Sequence, residues 1–193
     1  MNISVAAGVG RGPTAMAAYD AALAGAGVHN YNLVTVSSVV PADATVEAVE
    51  TAPNLGPAGG RLTVVQARAS VEPTERVGSD VTAEPITDGD PVDSASTADR
   101  VVAGLGWATG PGPGLFYEAT GTDRATVRER IDRGLDAGSA LRDWTLTDRE
   151  LKLAVGTPEP DAHVAAVVVA AYGTAERIGD GVDPVDPTET TQL

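Results

Sequence analysis

Two adjoining stretches set the fold class: Thr14-Ala15-Met16-Ala17-Ala18-Tyr19-Asp20-Ala21-Ala22-Leu23 and, after a glycine break, Tyr31-Asn32-Leu33-Val34-Thr35-Val36-Ser37-Ser38-Val39-Val40-Pro41. The first is Ala-rich with helical spacing of its apolar residues. Pro13 stands at a first-turn position, and Gly25 and Gly27 stop the run. The second is Val-rich and reads as one strand over 31–40. Toward the other end, Thr122 or Asp123 caps a second helix. Its Val127, Ile131 and Leu135 recur at three-to-four spacing, and it ends near Gly138.

Strands are predicted around these units. Residues 2–8 read as a first strand, running into Gly8-Val9-Gly10-Arg11-Gly12. That cluster does not fit the dinucleotide pattern G-x-G-x-x-G, because Gly12 comes one residue early; it predicts a tight strand-to-helix turn instead. Residues 41–60 read as a connection, and 61–69 alternate as a strand. The stretch 72–97 reads as a strand or loop near 77–86 followed by an exposed acidic loop. Residues 101–108 and 114–119 read as strands separated by Gly110-Pro111-Gly112-Pro113, and 144–155 and 162–172 as closing strands. The last is a Val/Ala run suited to burial on both faces. Two helices with about six to eight strands predict an α+β fold, a layered αββα-type sandwich of mainly antiparallel strands. One domain covers 1–178, and the acidic, Pro- and Thr-rich tail 179–193 is expected to be disordered.

Composition removes several function classes. With 42% hydrophobic and 4% aromatic residues, the core of this 193-residue chain is built from Val, Ala, Leu and Ile. It has no cysteine, so there is neither a disulfide framework nor a thiolate metal site. No apolar run spans a bilayer and no basic leader opens the chain, so a soluble cytoplasmic protein is expected. Net charge is −14, with Lys152 the single lysine against twelve arginines. That balance disfavours nucleic acid and anionic membranes. It reads as adaptation to a salt-rich, halophilic cytoplasm, where charges are screened over short distances and selectivity rests on direct contacts. His29 and His163 are far apart in sequence and read as structural or solvated, so no zinc site is expected. With no cysteine and two histidines, an enzyme built on this chain has to draw its nucleophile or electrophile from a serine, and the pair Ser37-Ser38 stands at the end of an apolar run just before a proline.

The block from Gly10-Arg11-Gly12-Pro13-Thr14 through Ala18-Tyr19-Asp20-Ala21-Ala22-Leu23 to Asn32-Leu33-Val34-Thr35-Val36-Ser37-Ser38 resembles the N-terminal signature of pyruvoyl-dependent arginine decarboxylases. Gly78-Ser79 and Gly114-Leu115-Phe116-Tyr117-Glu118-Ala119-Thr120-Gly121 extend the resemblance over most of 1–172. It implies self-cleavage between Ser37 and Ser38, giving a β chain 1–37 and an α chain 38–193. Ser38 Oγ attacks the Ser37 carbonyl, moving the acyl group from N to O. β-Elimination, tautomerisation and hydrolysis then leave a covalent pyruvoyl group at position 38. A serine hydroxyl is a weak nucleophile, so this needs near-attack geometry and donors for the oxyanion.

The resemblance also implies the reaction and its residues. L-Arginine forms an imine with the pyruvoyl ketone, loses CO2 and leaves as agmatine, the entry to polyamine biosynthesis, with neither pyridoxal phosphate nor a metal. Glu118 would protonate the reacting carbon, aided by an apolar setting between Phe116, Tyr117 and Ala119. Asn32 would assist cleavage and position the reacting groups. Asp20 would meet the substrate guanidinium bidentately. A homotrimer of αβ units, with sites between neighbours, is implied as well. The alternatives are a pyruvoyl decarboxylase of histidine or aspartate, and an unprocessed homologue acting as a structural or regulatory subunit.

Overall fold

The glycine cluster at 8–12 is strand, not turn: β1 runs without a break over Asn2–Gly12. A computed structural model of the chain describes residues 1–74 and 101–178. Successive strand residues face opposite ways. Ile3 and Val5 therefore face one apolar cluster, while Ala6 and the row Gly8, Gly10, Gly12 face another beneath helix α1, Ala15–Ala26. A Cβ at Gly10 would overlap the backbone of Ala18 and Ala22, and one at Gly8 the Ala22 carbonyl. The absent side chains are thus a packing device. They let an Ala-faced helix (Ala18, Ala22 and Ala26 buried) lie directly on the strand. Thr14 is the N-cap, its Oγ1 accepting from the Ala17 N–H at 3.1 Å, so Pro13 stands one residue before the cap rather than in the first turn. Gly27 closes the helix at φ 81°.

The single strand expected over 31–40 is two: β2, Asn32–Thr35, and β3, Val39–Val40, which lie in different sheets. The connection 41–60 holds a further short strand, β4, Thr45–Ala48, paired parallel to β1. The remaining strands are β5 (Arg61–Val71), β6 (Val101–Thr109), β7 (Gly114–Gly121), β8 (Asp148–Gly156) and β9 (His163–Tyr172). Helix α2 spans Arg124–Ala140 with Asp123 as its N-cap. Among the described residues this makes nine strands, one more than the expected range. The strand or loop expected near 77–86, Gly78-Ser79, the acidic loop and the tail from 179 lie outside the described residues.

The result is one α+β domain with two helices and two sheets. One sheet is mixed, in the order β2-β5-β9-β1-β4; the other is antiparallel, in the order β3-β7-β6-β8. β2 and β4 pair parallel at the edges of the mixed sheet, around an antiparallel centre. β9 is buried on both faces from Val164 to Ala171, as its unbroken Val/Ala run requires. Its alternate residues serve different clusters. Val164, Ala166, Val168 and Ala170 pack with Leu105, Trp107 and Phe116 of the second sheet, whereas Val167 and Val169 pack with α1 residues. A third cluster joins Val127, Ile131 and Leu135 of α2 to Val102 and Leu115.

Candidate active site

The chain crosses from one sheet to the other at the serine pair. The β2–β5 ladder continues to Val36, whose N–H donates to the Val64 carbonyl at 3.0 Å. The β3–β7 ladder begins at Ser38, whose carbonyl accepts from the Phe116 N–H at 2.9 Å. Only Ser37 stands between the two ladders, and it is exposed. Its carbonyl accepts from the Val39 N–H at 2.8 Å, which closes a three-residue turn centred on Ser38.

Ser38 is half-buried, and its Oγ is 3.0 Å from Glu118 Oε1 and 2.9 Å from Oε2. These are hydrogen-bond distances for a hydroxyl donating to a carboxylate. Strand alternation positions the carboxylate. Leu115 packs in the α2 cluster, and Tyr117 lies against Gly134 of α2. Phe116 and Glu118 therefore point the other way, toward the space between the sheets.

Tyr172, at the end of β9, completes the group, and sequence reasoning missed it. Its hydroxyl donates to the Val39 carbonyl at 2.9 Å. Its ring centroid is 6.1 Å from that of Phe116, which is in turn 6.4 Å from that of Trp107. Burial, and then the charge of Glu118, push its phenol up to about 12. Three of the seven aromatic residues (two Trp, four Tyr, one Phe) thus stand in a row behind Ser38 and Glu118. An aromatic residue ending a Val/Ala strand was the available signal, but nothing local linked it to a serine 134 positions earlier.

Two open clefts flank this group. One, of about 410 Å3, reaches Ser37 and Ser38 past Tyr117, Gly138 and Arg142. The other, of about 460 Å3, passes Glu118 beside Arg130 and Arg133. The Tyr117 ring borders both and rests on Gly134, where a Cβ would overlap it.

Of the sequence-predicted residues, Ser37, Ser38 and Glu118 come together; Asn32 and Asp20 do not join them within one chain. Asn32 begins β2, at the end away from Ser38, and its Nδ2 donates to the Gly59 carbonyl at 2.6 Å. Asp20 is exposed on α1, which packs on the mixed sheet, and it borders neither cleft. Among the described residues no group of three or more His, Cys, Asp and Glu is placed to hold a metal ion. No helix among them is long and apolar enough to cross a membrane.

Comparison with known proteins agrees with the resemblance read from the sequence. The family model described as pyruvoyl-dependent arginine decarboxylase matches residues 2–92 and 91–177. A relative from Halobacterium salinarum with that name is 46% identical over 180 residues, covering 92% of this chain and 98% of the relative. Relatives of the same name from Thermococcus sibiricus and Pyrococcus furiosus are 30% and 29% identical, covering 83% and 86% of this chain and 89% and 92% of their own lengths.

Proposed function

The chain belongs to the pyruvoyl-dependent arginine decarboxylase family, and on that premise we propose that Ser38 is the source of its pyruvoyl group and Glu118 its proton-transfer residue. It is a carboxy-lyase, and L-arginine is its substrate, with agmatine and CO2 as products. The observation that carries the proposal is the Ser38 hydroxyl held on the Glu118 carboxylate.

Glu118 accepts the Ser38 hydroxyl proton as Oγ bonds to the Ser37 carbonyl carbon. The bond from that carbon to the Ser38 nitrogen then breaks and the nitrogen takes up a proton. Ser37 is left as an ester on Ser38 Oγ. Elimination across Cα and Cβ of residue 38 releases chain 1–37, and hydrolysis releases ammonia from chain 38–193. The residues around position 38 fit such a group: an exposed neighbour to depart, a cleft reaching the bond, and a carboxylate already at Oγ. The pyruvoyl ketone supplies an electron sink for the carbon that loses CO2. Glu118, having lost its serine partner, is free to return a proton to that carbon, and the aromatic row behind it limits access of water.

Asp20 binds the guanidinium and Asn32 positions the reacting groups across a subunit boundary, in a homotrimer of αβ units. Their separation from Ser38 within one chain supports that reading. The four layers in the order helix, sheet, sheet, helix, a cytoplasmic location and independence of pyridoxal phosphate and metal belong to the same proposal. Intact-mass spectrometry of chain purified in high salt tests it. Two fragments split after Ser37, the larger without a free amino terminus, are expected, with agmatine formed from arginine. A lasting full-length chain overturns it and favours an unprocessed homologue.

A further inference from the structure

We propose that the turn centred on Ser38 is itself the oxyanion site of the acyl shift, with the Val39 backbone N–H as donor and Tyr172 as the positioning residue that holds Val39. The proposal rests on the reading that Ser38 attacks Ser37. In that attack the Ser37 carbonyl oxygen gains the negative charge, and it already accepts the Val39 N–H at 2.8 Å. A donor fixed before reaction on the oxygen that will become charged is the arrangement such catalysis needs.

The ladder explains why this N–H is available. Phe116 donates to the Ser38 carbonyl, so Ser38 and Phe116 form a hydrogen-bonded pair in an antiparallel ladder. Such pairs alternate, so the next pair, Val39 with Leu115, is not hydrogen-bonded, and both polar groups of Val39 point away from β7. β3 is an edge strand among the described residues, and no further strand among them takes these groups. The N–H turns back to Ser37, and the carbonyl takes the Tyr172 hydroxyl at 2.9 Å. Tyr172 is anchored in turn by β9 and by Phe116. Its phenol, raised to about 12, stays a donor across the working range of pH. Proton and bond balance are unchanged: Glu118 takes the Oγ proton, the new C–O bond forms, and the oxyanion rests on Val39 until the C–N bond breaks.

The test replaces Val39 by its α-hydroxy analogue through ligation of a synthetic N-terminal segment. The Ser38–Val39 amide becomes an ester that keeps the side chain and lacks the N–H. Cleavage between 37 and 38 is timed by intact mass, beside wild type assembled by the same ligation. Loss of an oxyanion donor is expected to slow cleavage by about 10²–10³-fold relative to wild type. Spontaneous ester hydrolysis would cut after Ser38 and is separated by mass. Tyr172→Phe, which leaves the backbone intact, is expected to slow cleavage by up to about tenfold, the worth of one hydrogen bond. Its effect should vanish in the ester chain, because it acts through the missing N–H. Equal rates for ester and wild type overturn the donor, and additive effects overturn the role of Tyr172. If the ester chain does not fold, a Tyr172→Phe chain of normal melting temperature that cleaves at the wild-type rate overturns the proposal. A wild-type chain that never cleaves overturns the underlying reading and this inference with it.

Discussion

Ser38 Oγ is shared between the two carboxylate oxygens of Glu118, at 3.0 and 2.9 Å, across 80 residues of sequence. One residue comes from the crossing between the sheets and the other from β7, and β3, which follows Ser38 directly, pairs with β7. A nucleophile and a base at hydrogen-bond distance form the minimal unit for acyl transfer.

Glu118→Gln keeps the shape and removes the base. Cleavage is expected to slow by about 10²–10⁴-fold, the usual worth of a positioned proton-transfer group. A comparable loss of decarboxylation is expected in any chain that does mature. Intact mass and release of labelled CO2 read the two steps separately. Normal rates in both would remove Glu118 from the chemistry.

Asp20→Ala is expected to leave self-cleavage untouched, because Asp20 borders neither cleft beside Ser38. The KM for arginine is expected to rise by about 10-fold or more, reflecting a lost charge-assisted bond of about 1.5–3 kcal/mol. Steady-state kinetics on the mature enzyme decide the matter, and an unchanged KM would dismiss Asp20 as the guanidinium partner.

Gly10→Ala forces a methyl group into the backbone of α1. A cost of about 1–3 kcal/mol or more is expected, as for other overpacked cores. Gly112→Ala meets nothing within 4 Å and is expected to stay within about 0.5 kcal/mol of wild type. Thermal melts of the pair compare a packed glycine with an open one.

Tyr172 gives the chain an alkaline limit. Its phenol is neutral in the fold up to about 12, above its ordinary 10.0. Between those values the native state holds a proton that the unfolded chain has lost. The stability from this group is therefore complete below about pH 10 and falls as pH rises toward about 12. Phenolate absorbance should show a titration step toward about 12. In Tyr172→Phe that late step disappears, and the melting temperature falls less steeply over the same window.

Periodicity made the helices legible, together with the paired face of α2 and the buried run of β9. Gly8, Gly10 and Gly12 hide their strand, because glycines at a period of two leave no side-chain pattern and a strand interior of glycine resembles a turn. The break at 36–38 was hidden because Val36 and Val39 keep the strand composition going while the backbone changes sheets. Ser38 and Glu118 were found through resemblance to a family rather than through spacing. Tyr172 carries no local signal, since its role arises only where the end of β9 meets Val39 of β3.

The crossing between sheets also bears on how the protein can be taken apart. Residues 1–37 carry β1, α1 and β2, and each strand neighbour of β1 and β2 (β4, β9 and β5) comes from residues beyond 38. With the bond after Ser37 cut as proposed, these pieces would remain interleaved as one body with no continuous chain to guide a second folding. Refolding changes from a unimolecular event into an encounter between two polypeptides, with a yield that depends on concentration. The mature enzyme then holds its shape by a history that its separated chains no longer encode.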